Sequence, residues 1–327
     1  MALFNKVMAA AALAVAGVIG TANAQAETLR LAHIVPPSHV WHQVAERFTA
    51  NLEKDSAGRF VTKISPQAKL GRDPQLIKLL QSGGIQFAIL TVGDLSNRSE
   101  ALQAWFLPYT FKDVAHAGAA ARTPAAREML AQLESQGMVG LGYTFAGMRH
   151  VLSVKPVTSP DDLRNKKIRS FPNEIFSDWW QAMGAAPTAL PLSEVSPSLT
   201  TNLLDAVDID LDAVVGLKFY QQAGNLAMTN HMAFPAVMVV SKKWWDKQSE
   251  ADRALIQKLF DEAETWGIQK QVEAEAANLA TLKEAGVNIQ AVGLEPFQKV
   301  GAEVAAKYTA RNPTIKAFAE QAAALGK

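Results

Sequence analysis

The chain contains no cysteine. It therefore forms no disulfide, offers no thiol nucleophile and has no thiolate for a metal. No charge of one sign dominates either, since 32 Lys and Arg face 31 Asp and Glu, interspersed without a run of like charge. A nucleic-acid partner would call for a basic patch, so none is expected. Beyond residue 24 no apolar stretch approaches the roughly 18 residues of a membrane span, and the mature chain is expected to be soluble. Linkers rich in Gly, Ser or Pro are missing, as are internal repeats and low-complexity tracts. Lobes, where present, are thus expected to be joined by crossings of the chain rather than strung like beads. Enzyme fingerprints are also missing. There is no Gly-x-Ser-x-Gly elbow, no Gly-x-x-x-x-Gly-Lys phosphate loop, no dinucleotide fingerprint and no His-Glu-x-x-His. No enzyme activity, cofactor or metal is expected, although glycoside hydrolysis needs only two acids and stays as an alternative.

What the N-terminus does have is an export signal. Lys6 and the free amino group precede an apolar run over residues 7–19, and Ala22-Asn23-Ala24 supplies a small-x-small cleavage site. That run falls short of the about 20 residues that a span needs. Polar Gln25 and Glu27 follow at once, which argues against a retained anchor helix. Residues 1–24 are expected to be a signal peptide cut near Ala24, and the mature chain to reside in the periplasm. Its roughly 300 residues suit one large or two medium domains. Without disulfides it must rely on its core.

Strands and helices alternate along the mature chain. Residues 29–35 read as a buried strand, Pro36 and Pro37 break it, and a helix follows from about Ser38. Val40, Val44, Phe48 and Leu52 recur every four residues, which sets them on one helical face. A strand over 60–65, a helix carrying Leu76, Leu79 and Leu80, and the apolar run 85–92 complete a β-α-β-α-β order. That order predicts a parallel α/β sheet, and the run 85–92 predicts a strand buried on both faces. The second half repeats the alternation. A strand through Ile168 precedes a helix over 173–183, a short strand over 186–190, a helix capped by Ser193 and reaching Leu203, and a strand over 206–209. Another apolar strand covers 236–240, with Ser241 as a cap. Trp179 and Trp180 share an apolar helical face and are expected in the core. Trp244 and Trp245 are expected at the start of a surface helix.

Residues 250–284 are the oddest piece. Ser249-x-x-Asp252 has the form of a capping box, Leu255, Leu259, Ala263 and Trp266 keep helical spacing, and Gly286 closes the segment. At about 1.5 Å per residue this is a rod of roughly 50 Å, longer than one lobe is wide. A helix of that length is expected to bridge two lobes.

Two isolated arginines stand in strand-like surroundings. Arg149 follows the strand 138–145, and Arg169 ends the run 166–170. An arginine at a strand end costs free energy unless an anion meets it, and its planar fork matches a carboxylate in two parallel hydrogen bonds. Each has a structural alternative: Arg169 pairs with a carboxylate such as Asp178, or Arg149 forms a salt bridge between lobes. Asp208, Asp210 and Asp212 alternate as if to hold calcium, but Ala213 and Phe219 stand where an EF-hand loop needs Gly and Glu. In the simpler reading Asp208 ends a strand at a cleft while Asp210 or Asp212 caps the next helix. His33, His39 and His42 lack the partners of a metal site and read as structural or cleft-lining. Phe171, two residues beyond Arg169, either reaches the cleft or packs in the core.

The order and spacing of these features resemble the DctP-type solute-binding proteins of tripartite ATP-independent periplasmic (TRAP) transporters. Near the start the resemblance rests on Ala32-His33, His39-x-Trp41-His42 and Ala45-Glu46-x-Phe48. It continues through Leu70-Gly71-Arg72-Asp73 and Leu107-Pro108-Tyr109-x-Phe111 into the block 147–231. That block holds Gly147-Met148-Arg149, Lys167-Ile168-Arg169, Lys218-Phe219-Tyr220 and Met228-Thr229-Asn230-His231. Nearly the whole mature chain is covered.

The resemblance implies an α/β fold of the two-lobe, type II-like periplasmic binding protein kind with a long interlobe helix. One lobe is expected to hold 27–147 and 236–275, the other 148–235 and 276–327. It further implies capture of a small organic anion and delivery to TRAP membrane permease subunits; a monomer is expected. Arg169 would clamp the ligand carboxylate, Arg149 would face the ligand, and Asp73 matches a position that contacts ligand hydroxyls or simply caps its helix. In the family an acid at the position of Asp208 is often followed by a ligand-contacting asparagine, and here Ile209 stands instead. The expected substrate-binding set is therefore Arg169, Arg149, Asp208, Asp73, Ile209, Phe171 and His33. A sugar acid ranks first, with Asp208 and Asp73 accepting its hydroxyl protons. A C4-dicarboxylate ranks second, needing Arg149 for its second charge, and an aromatic acid third, using Phe171 and Ile209. An ABC-type binding protein and an extracytoplasmic sensor module are the rival functions.

Overall fold

The alternation of strands and helices produces two sheets in a computed structural model that describes residues 26–326; the expected signal peptide lies outside the described residues. In chain order the strands are β1 (Glu27–Ala32), β2 (Phe60–Ser65), β3 (Phe87–Thr91), β4 (Met138–Met148), β5 (His150–Ser153) and β6 (Lys167–Ser170). They continue with β7 (Ala186–Ala189), β8 (Ala206–Ile209), β9 (Asn225–Ala227), β10 (Ala233–Ser241) and β11 (Asn288–Gln290). The helices are α1 (Val40–Asp55), α2 (Asp73–Ser82), α3 (Val92–Leu95), α4 (Val114–Ala120), α5 (Pro124–Ala131) and α6 (Glu174–Ala182). After them come α7 (Val195–Thr200), α8 (Leu211–Gly216), α9 (Lys242–Trp245), α10 (Glu250–Glu284), α11 (Glu295–Arg311) and α12 (Pro313–Leu325).

The first sheet has the order β2-β1-β3-β10-β4 and the second β11-β9-β5-β8-β6-β7. Strands β1, β2 and β3 are parallel, as the β-α-β-α-β order requires. The sheet as a whole is mixed, however, because β10 returns from the second sheet and inserts antiparallel between β3 and β4. Every residue of β3 is buried. In the second sheet β6 runs parallel to β7 and β8, while β5 is antiparallel to β8 and β9. The helix expected from Ser193 to Leu203 is shorter. Ser193 lies inside a 3-10 turn (Leu192–Glu194), and Asn202 in the left-handed region at φ 58° lies beyond the end of α7.

The chain passes between the sheets from β4 to β5, from β9 to β10, and along α10. The first two passages are tied to each other: Arg149 N donates to Met232 O at 2.7 Å and His231 N to Arg149 O at 3.2 Å. Gly147, at φ +109°, turns the chain just before the first passage, and a Cβ there would collide with the Glu275 carboxylate of α10. Gly147→Ala is therefore expected to cost at least about 1–3 kcal/mol through backbone strain alone, read as a lower denaturation midpoint.

Helix α10 begins where Ser249 Oγ accepts Asp252 N at 3.1 Å and runs 35 residues. It packs on α1 and β4 of the first sheet and on α8 and β11 beside the second, so it does bridge them. It also completes an edge. Strand β4 has no strand beyond it, and helix side chains take up its free backbone groups. Gln257 Nε2 donates to Leu141 O at 2.8 Å, Glu264 Oε1 accepts Tyr143 N at 2.8 Å, Gln271 Nε2 donates to Ala146 O at 3.2 Å, and Glu275 Oε1 accepts Met148 N at 3.1 Å. Positions 257, 264 and 271 recur every seven residues, which keeps them on one helical stripe.

Trp179 and Trp180 are fully buried. Trp244 is 7% exposed and wedged against Phe60 and Phe87, so it belongs to the core more than to a surface helix. The C-terminal helices divide differently from the expected lobe boundaries. Helix α11 packs on α6, whereas α12 packs on α4, α5 and the 3-10 turn Glu100–Phe106. The cause is Phe318, whose ring sits 4.6 Å from Trp105 and 6.0 Å from Phe111. Among the described residues no helix is long and apolar enough to cross a membrane.

Candidate functional site

In an open α/β sheet, ligands collect beyond the carboxyl ends of the parallel strands, where loops diverge and backbone groups point outward. Both sheets obey this rule toward one shared cleft of about 740 Å³. Its lining includes Val35 after β1, Gln67 after β2, Thr91 ending β3, Phe171 after β6, Leu190 after β7 and Ile209 ending β8.

Arg169 occupies β6 with only 3% of its surface exposed. Its Nε donates to Leu190 O at 3.1 Å, and its Cζ lies 5.0 Å from the Phe171 ring centre. The Nη1 group is buried and has no hydrogen-bond partner among the described residues. Asp178 does not meet it, because that carboxylate takes Lys307 Nζ and Tyr308 OH, each at 2.6 Å. Burial, and then Arg149 beside it, lower the guanidinium to about 10. It stays charged at neutral pH. Asp208 and Asp210 act on it only from a distance, and no carboxylate of the described residues forms an ion pair with it, so this buried cation is an anion site waiting for its anion.

Arg149 lines the same cleft but is already satisfied. Its Nε meets Asp208 Oδ1 at 2.5 Å, its Nη1 meets Asp210 Oδ2 at 3.2 Å, and its Nη2 donates to Asp208 main-chain oxygen. Its Cζ stacks 4.4 Å from the centre of Phe234. The arrangement is a salt bridge, but one within the expected lobe 148–235 and not the salt bridge between lobes that was the alternative to ligand contact. Asp208 correspondingly lies outside the cleft lining, fully buried, with Oδ2 accepting Trp180 Nε1 at 3.1 Å. Burial by itself would raise its pKa; Arg149 and then His231 outweigh that and hold it at about 2. Asp208, expected to accept ligand hydroxyls, is instead buried behind the cleft lining with Arg149 and Trp180 as its donors. Asp210 caps α8 through Ala213 N at 2.8 Å, and Asp212 accepts Val40 N at 3.2 Å from the start of α1.

Residues 31–312 match the family model described as bacterial extracellular solute-binding protein, family 7 (DctP). The chain belongs to this family. A solute-binding protein of Roseobacter denitrificans is 27% identical over 91% of this chain and 92% of its own length. The C4-dicarboxylate-binding periplasmic protein DctP of Shewanella loihica is 26% identical over 73% of this chain and 71% of its own. A TRAP periplasmic solute-binding protein from a Bradyrhizobium species, solved with galacturonate, is 27% identical with a TM-score of 0.85, covering 90% of this chain and 99% of that one. The DctP family is one of solute-binding proteins, not of enzymes, and two solved binding proteins, 23% and 22% identical, share the fold of this chain at TM-scores of 0.84 and 0.87.

Other members of the expected DctP binding set fall at different depths. Asp73 opens α2 and lines the cleft at 4% exposure. Its Oδ2 accepts Thr91 N at 2.9 Å and Thr91 Oγ1 at 2.6 Å, while Oδ1 is buried without a partner. Burial lifts its pKa to about 7, against the two Thr91 hydrogen bonds. A carboxyl raised on folding binds its proton more tightly in the folded state. Its penalty thus grows as pH rises from the unfolded value near 4 toward about 7, and is complete above that. Asp73→Asn is expected to raise the melting temperature at pH 8 and to change it little at pH 4, with each unit of raised pKa contributing about 1.4 kcal/mol.

Phe171 and Ile209 both line the cleft. His33 does not; it is fully buried with Nε2 2.9 Å from His42 Nδ1. Burial, then His42 and His39, lower its pKa to about 3, so it is neutral. Instead His39 reaches the cleft, 3.9 Å from Asp210 Oδ1. Among the described residues no group of three or more His, Cys, Asp and Glu is placed to hold a metal ion. Trp41, Leu190 and Phe234 are among the lining side chains that escaped the sequence reading. Trp41 left a trace, being a bulky ring one position off the Val40–Val44–Phe48 stripe. Phe234 left none, because every residue of β10 is buried and alternation cannot say which ring looks into a cleft.

Proposed function

We propose that this protein captures an organic carboxylate in the periplasm and hands it to the membrane permease subunits of a TRAP transporter. The observation that carries the reading is Arg169, a buried guanidinium at a strand end inside the cleft with Nη1 unpartnered. A carboxylate supplies the missing acceptor and the missing charge together, in the bidentate geometry that guanidinium favours. The relatives support an acid: the Bradyrhizobium protein was solved with galacturonate and the Shewanella protein is named for C4-dicarboxylates. Export through the N-terminal signal, a monomeric mature chain and two lobes closing about the three passages complete the proposal. Lobe one comprises 27–147 and 236–275, and lobe two 148–235 with the chain beyond 276, except that α12 travels with lobe one.

Calorimetric titration with pairs of molecules sharing one body, acid against amide or methyl ester, tests the capture step. Acids bind and their neutral partners do not, if Arg169 works as described; equal binding of both would refute the clamp. For delivery, the neighbouring genes decide. Two membrane subunits without an ATPase accord with a TRAP permease, whereas an ATPase subunit assigns an ABC transporter and a kinase a sensor.

A further inference from the structure

We infer that the captured acid carries one carboxylate on an apolar, aromatic body, not on a sugar or a C4-dicarboxylate skeleton. This rests on the reading of Arg169 as the carboxylate clamp. The first argument is charge. Arg149, the other buried cation of the cleft, is consumed by Asp208 and Asp210. The remaining lining cation, Arg72, is exposed, so its charge is screened by solvent and salt. A second carboxylate would enter without an interior partner and would face Asp73, Asp94 and Asp210.

The second argument is the wall. Trp41, Phe234 and Phe171 form a continuous run of rings, with centres 6.3 Å and then 4.7 Å apart, and Phe171 ends beneath Arg169 at 5.0 Å. A carboxylate seated on Arg169 places its body against that run. Leu190, Ile209 and Phe219 extend the apolar lining. Ring faces and edges gain from another ring at such distances.

The third argument is that several of the lining acceptors are already engaged. Asp210 spends one oxygen on Ala213 N and the other on Arg149. Asp73 Oδ2 is filled by Thr91, and Gln75 Oε1 accepts Arg72 N at 3.1 Å. A polyhydroxylated acid would shed the water on each hydroxyl and find these acceptors taken, which leaves it the side chains of Gln67, Asp94, Ser193 and Ser196 along the lining. Asp73 Oδ1 and Trp41 Nε1 are lining atoms buried without a partner among the described residues, and they suit a polar substituent on the body.

The test titrates the full mature protein with phenylacetate, 3-phenylpropanoate and mandelate, against galacturonate, glucuronate, succinate and malate. At least one aromatic acid is expected to bind tighter than every sugar acid and diacid by about tenfold or more, the discrimination that unpaired polar groups impose. Ile209→Asn, which adds an amide to the wall, is expected to weaken the aromatic acid and to strengthen glucuronate. A sugar acid or diacid as the tightest ligand overturns the inference, as does failure of every aromatic acid to bind. Diacid binding that is lost in Arg72→Ala would overturn the charge argument specifically. Arg169→Ala separates the two levels. Loss there of whichever acid binds keeps the clamp and drops only the aromatic body, while undiminished binding removes the clamp as well.

Discussion

Replacing Arg169 by alanine is expected to lower affinity for the carboxylate ligand by about 10²- to 10⁴-fold, because two charge-assisted hydrogen bonds of about 1.5–3 kcal/mol each are lost at about 1.4 kcal/mol per tenfold. The same substitution is expected to leave the ligand-free protein as stable as before, or more so. Its guanidinium is buried with Leu190 O as an acceptor, no carboxylate in ion-pair contact and Nη1 unsatisfied among the described residues. Removing an uncompensated buried charge relieves a desolvation cost rather than creating one. Arg169→Lys keeps the charge but loses the fork, and its affinity should fall between wild type and alanine. Calorimetry and a thermal melt on the same samples check both halves. A large fall in ligand-free melting temperature would mean that Arg169 is structural.

That contrast could not be drawn from the sequence, where Arg149 and Arg169 look alike: isolated arginines at strand ends. What separates them is the company brought by folding. Asp208 and Asp210 arrive from 59 and 61 residues away, on β8 and at the cap of α8. Local features were legible because they depend on near neighbours. The stripe Val40–Val44–Phe48–Leu52 gave α1, and the serine cap with the long polar-apolar rhythm gave α10 over its observed 35 residues. Non-local features were not. Nothing near residues 233–241 announces that β10 inserts antiparallel between β3 and β4, since a strand buried on both faces reads the same in either direction. Likewise α12 joins the first sheet through Phe318 and two rings some 200 residues upstream on roughly the scale of the whole chain. The cleft itself was half legible. Strand ends located Arg169, Phe171 and Ile209, whereas Asp208 was misplaced because burial of a carboxylate behind its partner leaves no mark in the local pattern.

Arg149→Ala should do the reverse of Arg169→Ala: destabilise the fold by about 3–5 kcal/mol, the cost of leaving a buried partner uncompensated. Arg149 is 1% exposed, and its loss strands Asp208, which is fully buried, with Trp180 Nε1 as its remaining close donor. It also loosens the passage from β4 to β5, where the guanidinium ties the chain to β8 and stacks on Phe234. The pH dependence gives a signature that simple loss of packing would not. In the wild type, Asp208 is lowered from 3.8 to about 2, so its stabilising contribution is present above pH 4 and is lost as pH falls from about 4 to about 2. Without Arg149 the burial of Asp208 is opposed chiefly by His231 and its pKa moves up, so the folded state now gains by taking a proton. The variant should therefore recover stability on going from pH 8 toward pH 5, over a range where the wild-type pair stays fully charged. Adding Asp208→Asn to Arg149→Ala should restore part of the loss and abolish that recovery, because the stranded charge is gone. Denaturant melts of the wild type, Arg149→Ala, Asp208→Asn and the double variant at pH 8 and pH 5 carry the test. An Arg149→Ala penalty that is independent of pH and unchanged by Asp208→Asn would assign the effect to packing against Phe234 rather than to the ion pair.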